Sequence, residues 1–138
     1  LVVFLDTSSL VKLYIEEAGS AEVHRLVGAA EAVAVSRIAY AEARATFARR
    51  AGEGVVSTAT LSQIRKALDE DWPSFVRLEC DELQAGQLAE KHLLRGMDAL
   101  HLAAAVEVNR GTPDRQLIFS CFDHRLRSAA LAEGLRVP

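Results

Sequence analysis

The chain has 138 residues, of which 50% are hydrophobic and 25% charged, with a formal net charge of −3. Such a length suits one domain, residues 1–138, able to bury roughly two-thirds of its unfolded surface. The balance excludes a basic nucleic-acid coat, and the apolar stretches fall far short of the roughly 18 residues of a membrane span.

The first strand is expected at Val2–Leu5, closed by Asp6. Ser8–Glu17 reads as a helix with Leu10, Leu13 and Tyr14 inward, stopped at Gly19. Ser20 then caps a helix over Ala21–Ala30. A second strand follows at Ala32–Val35. Ser36 is placed to cap a long helix reaching about Arg50, ended by Gly52-Glu53-Gly54. Ser57 opens another helix that Pro73 ends. Phe75–Leu78 is the third strand, and Asp81 or Glu82 starts a helix to about Leu94. Met97–Val108 is apolar almost all round, which predicts a helix buried on most sides. Gly111 and Pro113 stop it. Gln116–Ser120 is the fourth strand, and Asp123–Ala132 a helix with Leu126, Ala130 and Leu131 inward, ended by Gly134. Leu135–Val137 is a candidate last strand. Short apolar strands alternating with helices predict an α/β fold, a central parallel sheet covered on both faces. Ligands in such folds bind at the carboxyl ends of the strands.

Four acids stand beside these core segments: Asp6, Glu42, Asp98 and Asp123. Buried carboxylates are costly unless a cation pairs with them. No matching set of buried Lys or Arg is evident, so the pattern points to a hard divalent metal, Mg²⁺ or Mn²⁺. Each acid also has a plainer reading. Asp6, Asp98 and Asp123 stand where helix caps stand. Glu42 sits mid-helix, sharing a face with Ile38, Ala41 and Ala45, where it breaks the apolar pattern. A pair with Arg37, Arg44 or Arg95 is its alternative.

His101, one turn after Asp98, reads as a hydrogen-bonded core residue, with ligation or proton transfer as the second reading. His24, His92 and His124 read as exposed. Cys80 and Cys121 have neither zinc spacing nor a disulfide framework; they read as free, buried thiols of a reducing cytosol. No signal peptide is read ahead of the first strand, so a cytoplasmic location is expected. No Ser-His-Asp set, Walker loop or dinucleotide fingerprint is present, and nothing suggests an organic cofactor.

The residues Leu5-Asp6-Thr7-Ser8-Ser9-Leu10-Val11-Lys12-Leu13-Tyr14 resemble the opening motif of PIN domains. Ala39-Tyr40-Ala41-Glu42-Ala43 resembles the second motif. Asp98-Ala99-Leu100-His101-Leu102-Ala103-Ala104-Ala105 resembles the third, the most specific of them. Phe119-Ser120-Cys121-Phe122-Asp123-His124-Arg125-Leu126, with Ala129-Ala130 and Gly134-Leu135, resembles the closing motif. Order and spacing span essentially the whole chain, and the similarity is to the VapC group, toxins of type II toxin–antitoxin pairs. Gly96-Met97 ahead of Asp98 departs mildly from the pattern.

The resemblance implies a three-layer α/β/α fold and a Mg²⁺- or Mn²⁺-dependent endoribonuclease acting on RNA. Asp6, Glu42, Asp98 and Asp123 carry over as metal-binding acids, with Ser120, Thr7 and Ser8 supporting them. It also implies a homodimer and a cognate antitoxin that blocks the site. Val11, Tyr14 and Ile15 are candidates for an antitoxin groove or for core. Lys12, Arg37, Arg44, Arg49, Arg50, Arg95 and Arg125 are candidate phosphate contacts or plain surface charges. The competing expectations are a non-catalytic PIN-like module binding RNA or protein, a haloacid-type hydrolase, and a structure-specific DNA nuclease. The second wants an Asp-x-Asp pair that Asp6-Thr7-Ser8 lacks. The third wants insertions for which the chain is too compact.

Overall fold

A computed structural model describes all residues, 1–138. Its four strands are β1 (Val2–Leu5), β2 (Ala32–Ser36), β3 (Val76–Leu78) and β4 (Leu117–Ser120), and every pairing is parallel, in the order β3-β2-β1-β4. Seven α-helices connect and cover them: α1 (Thr7–Val11), α2 (Ser20–Ala29), α3 (Ile38–Gly52), α4 (Thr58–Asp71), α5 (Glu82–His92), α6 (Gly96–Gly111) and α7 (His124–Ala132).

Side chains alternate across a strand, and the sheet sorts its apolar residues accordingly. Val2 and Phe4 pack on one face with Leu88 of α5, Leu102 of α6 and Leu126 of α7. Val3 and Leu5 pack on the other with Leu10 of α1, Val23 of α2, Phe47 of α3 and Leu68 of α4. Both faces are covered, which is why the strands read as continuous apolar runs, and the result is the three-layer α/β/α sandwich that was expected. The chain leaves β1 for β2 and β3 on one side, then returns to β4 on the other. The carboxyl ends of β1 and β4 therefore border a switch point, where a ligand crevice opens.

Several local expectations are corrected. The helix expected over Ser8–Glu17 ends at Val11. Beyond it the chain tightens through i→i+3 bonds, from Lys12 N to Ser9 O and from Leu13 N to Leu10 O, and Ile15 turns into the core. Ser20 does not cap α2; Gly19 holds that position, at φ +93°, where a residue without a Cβ is favoured. Ser36 stays in β2, and α3 starts after Arg37 without a side-chain cap. The buried stripe of α3 is Ala39, Ala43 and Phe47, not Ile38, Ala41 and Ala45. Alanine fits either face, so the true stripe is set by where Phe47 points. Leu131 and Met97 are exposed. Leu135–Val137 forms only a single bridge, Ile118 to Arg136. His92 is half-buried against Glu133, 2.7 Å away, and Cys80 is half-buried, with only Cys121 fully inside. No helix is long and apolar enough to cross a membrane.

Candidate active site

Asp6 follows β1 directly and caps α1, accepting the Ser9 N–H at 2.8 Å. Ser8 Oγ donates to the same carboxylate, 2.7 and 2.9 Å from its two oxygens. Asp6 is only 5% exposed. Burial pushes its carboxyl above the ordinary value, and the bonds from Ser9 and Ser8 do not fully offset that. The corner is braced from β4: Asp6 N donates to Ser120 O at 3.1 Å, while Ser9 Oγ lies 2.8 Å from Ser120 O and 2.9 Å from Ser120 Oγ. Cys121 sits behind it, its thiol pushed up to about 12 by burial and then by the charge on Asp6. A thiol held neutral in this way is a poor metal ligand.

Glu42 lies on the edge of the packed stripe of α3. Its Oε1 accepts from Thr7 Oγ1 at 2.7 Å and from His101 Nε2 at 2.7 Å, and Thr7 and His101 are themselves 3.0 Å apart. Burial alone would raise the Glu42 carboxyl, but these bonds outweigh it and hold it below the usual range. The contact fits the Nε2–H tautomer of His101. His101 Nδ1 is then a buried acceptor, and it has no partner. The alternative of an arginine partner for Glu42 does not hold: Arg37 pairs with Glu79, Arg44 with Asp69 and Arg95 with Asp98.

Asp98 lies in the first turn of α6 but does not cap it; Arg95 holds the cap position. Asp98 Oδ2 accepts from Arg95 Nε at 3.0 Å. Asp123 does cap α7, accepting the Leu126 N–H at 2.9 Å. The cap reading therefore accounts locally for Asp6 and Asp123 and fails for Asp98.

All four acids, from four separated segments, line one cleft of about 280 Å³ together with Thr7, Ser8, His101 and Arg95. Ser120 lies beneath it, fully buried. The only Lys or Arg in an ion pair with any of the four acids is Arg95, whose side chain is 82% exposed. Asp98, Asp123 and Arg95 also border an adjoining hollow with His124, Arg125 and Ser128.

The donor set is all oxygen, which suits Mg²⁺ or Mn²⁺. Glu42 Oε2, Asp98 Oδ1 and Asp123 Oδ2 accept no hydrogen bond from the protein. No three acidic, His or Cys side chains are drawn together as a closed ligand set. Uncompensated carboxylates repel, and Mg²⁺ takes few protein carboxylates while keeping its waters. The oxygen chemistry of the donor set fits such an ion, with water filling out its shell.

Of the candidate phosphate contacts, Arg49, Arg50 and Arg95 face the cleft and Arg125 the adjoining hollow. Lys12 is tied to Glu17, and Arg37 and Arg44 lie elsewhere in their own ion pairs. His101 is the buried, hydrogen-bonded residue that its sequence position predicts, but its partner, Glu42, is not legible there. Sequence reasoning missed Glu17, which it places at a helix end and which lines the cleft. Val11 and Ile15 are core, not groove; the apolar groove beside them is lined by Leu13, Tyr14, Val27 and Phe75.

Residues 3–131 match the family model of the PIN domain, and the chain belongs to that family. Within it, the similarity runs to VapC proteins. Ribonuclease VapC45 and Ribonuclease VapC49 of Mycobacterium tuberculosis are each 35% identical over 139 residues, covering 99% of this chain and 94% of theirs. Two solved structures share the fold. FitAcB from Neisseria gonorrhoeae has a TM-score of 0.69 at 20% identity, covering 98% of this chain and 95% of that one. VapBC2 from Rickettsia felis, bound to a DNA fragment from their promoter, has a TM-score of 0.66 at 13% identity, covering 100% and 98%.

Proposed function

We propose that the protein is a divalent-metal-dependent endoribonuclease, the toxin of a toxin–antitoxin pair, acting through Asp6, Glu42, Asp98 and Asp123. The observation that carries this reading is the convergence of four carboxylates on one cleft, of which only Asp98 is paired with a Lys or Arg, the exposed Arg95. The names of the relatives at 35% identity support the ribonuclease assignment.

Asp6, Glu42, Asp98 and Asp123 would hold Mg²⁺ or Mn²⁺ by their cleft-facing oxygens. Such an ion neutralises the scissile phosphate and lowers the pKa of a nucleophilic water. The chain's own work is positional. Ser8 and Ser9 fix the rotamer of Asp6, and Thr7 and His101 fix that of Glu42, so both carboxylates enter the reaction already oriented. Arg95, released from Asp98, reaches a phosphate oxygen. Water adds to phosphorus as the P–O3′ bond breaks and a proton passes to the departing oxygen, leaving 5′-phosphate and 3′-hydroxyl ends. The RNA strand, a protein antitoxin and a second copy of the chain complete the set of partners.

The test is incubation of the antitoxin-free protein with total cellular RNA and Mg²⁺ or Mn²⁺, beside an EDTA control and Asp98→Asn. Discrete cuts lost in both controls are expected. A folded protein that cuts with neither metal points instead to a binding module, and cutting that survives EDTA rejects metal dependence.

A further inference from the structure

Part of the cleft is of opposite character. Past Glu42 along α3, one to two turns on, it is lined by Thr46, Arg49 and Arg50, with Glu17 among them. Glu17 Oε1 lies 2.7 Å from Lys12 Nζ, and its Oε2 lies 3.2 Å from Arg50 Nη2. One carboxylate thus spans an ammonium and a guanidinium, as two oxygens of a phosphate would. Arg49 pairs with no carboxylate and touches only Thr46 Oγ1, at 3.4 Å. Two guanidiniums, Arg49 and Arg50, thus line this part of the cleft against one carboxylate, Glu17, which Lys12 also neutralises from behind.

The two partners of Glu17 are not equivalent. The Lys12 side chain is 11% exposed, and its ammonium stands 4.6 Å from the Phe122 ring centroid. Arg50, at 33%, is freer to turn. The backbone between them is fixed. Glu17 N donates to Ser20 Oγ at 3.0 Å, and Ser20 Oγ donates to Ile15 O at 3.2 Å. A Cβ added at Gly19 would lie 2.5 Å from Phe122 Cε1. Any exchange of partners here is a rotation of Arg50, with Lys12 remaining to neutralise Glu17.

We infer that Arg49 and Arg50 form a subsite for a backbone phosphate of the RNA strand, and that Glu17 competes for Arg50 and so sets how tightly the strand is held. The inference rests on the ribonuclease reading. Its geometry is that of an occupied cradle: the strand must take Arg50 from a carboxylate already in place, which lowers affinity for any chain of phosphates.

Fluorescence anisotropy with a short fluorescein-labelled single-stranded RNA tests it, in the Asp98→Asn background so that the probe stays intact. Glu17→Gln should bind about two- to fivefold tighter at low salt, the size of an exposed ion pair released. Arg50→Gln should bind more weakly with a shallower salt dependence. Glu17→Gln added to Arg50→Gln should bring no gain, since the coupling runs through that pair. A gain that persists without Arg50 is a general charge effect and overturns the inference, as does no gain at all. Glu17→Asp gives a second reading should Glu17→Gln fold poorly. It keeps the charge beside Lys12 but draws it back from Arg50, so tighter binding supports the competition and unchanged binding overturns it. If the Asp98→Asn parent binds no RNA, the ribonuclease reading itself fails and takes the subsite with it. If the parent binds and the Glu17 variants match it, only the subsite fails.

Discussion

Asp6 at the β1–α1 corner and Asp123 at the β4–α7 corner are the same residue in the same local role. Each caps a helix by accepting a backbone N–H, at 2.8 and 2.9 Å. Their surroundings differ because β1 is central in the sheet and β4 lies at its edge. Asp6 is roofed by its neighbours and buried, with its carboxyl raised by that burial; Asp123 is exposed. Local sequence sets the cap, and strand order sets how costly the charge is. A carboxylate kept in the costlier place, when Asn would cap equally well, is the one whose charge has another use.

The largest effect should come from removing that charge. Asp6→Asn keeps a capping side chain of the same shape, so a loss of RNA cleavage greater than about 100-fold is expected, beyond the usual effect of a residue that merely supports a metal ligand. Asp123→Asn should cost less, because its carboxylate is better solvated and less fixed. Single-turnover cleavage rates compare the two, and equal losses would erase the proposed ranking of the corners.

The corners also differ in what they reach. Thr7, next to Asp6, donates to Glu42, whereas the His124 side chain, next to Asp123, makes no hydrogen bond or ion pair with another acid, though it borders the hollow shared with Asp98. Thr7→Val should therefore lower cleavage about tenfold by freeing the Glu42 carboxylate, with His124→Ala near wild type. A Thr7→Val enzyme of full activity would mean that His101 alone suffices to hold Glu42.

How far this was legible in the sequence follows the same division. Val2–Leu5 and Leu117–Phe119 announce buried strands because both faces of the sheet are covered. The acids stand out because they interrupt or close apolar runs. What sequence could not give was set by contacts distant in the chain. Nothing near Val11 shows that α1 ends there; the segment turns because Ile15 is drawn into the core and Glu17 is tied to Lys12 and Arg50. Glu42 was singled out by a face, Ile38-Ala41-Ala45, that proves largely exposed; its actual distinction is to stand beside Ala39 and Ala43, within reach of His101. The alanines of α3 permit either choice, and only Phe47 decides between them.

Stability gives a smaller and independent measure of the two corners, best taken in EDTA. Asp123→Ala should cost about 1 kcal/mol through loss of the cap, and Asp123→Asn close to nothing. Chemical denaturation resolves a difference of that size. An Asp123→Ala protein as stable as wild type would mean that solvent satisfies the Leu126 N–H as well as the carboxylate does.

The last contrast is one of pH. The folded protein raises the Asp6 carboxyl, so it binds that proton more readily than the unfolded chain does. The associated stability is fully present below the ordinary value of 3.8 and is lost as pH rises through the higher native value. Above that native titration wild type therefore bears an ionised, buried carboxylate that Asp6→Asn lacks. In a melting series across pH, the metal-free Asp6→Asn protein should gain a few degrees over wild type on the alkaline side of the native titration of Asp6, and this advantage should shrink as the solution is acidified through it. Added Mg²⁺ or Mn²⁺ should reverse the order on that alkaline side, since the ion stabilises only the protein that binds it. A melting difference independent of both pH and metal would mean that burial at the β1–α1 corner carries no electrostatic cost, and the contrast with the β4–α7 corner would reduce to exposure alone.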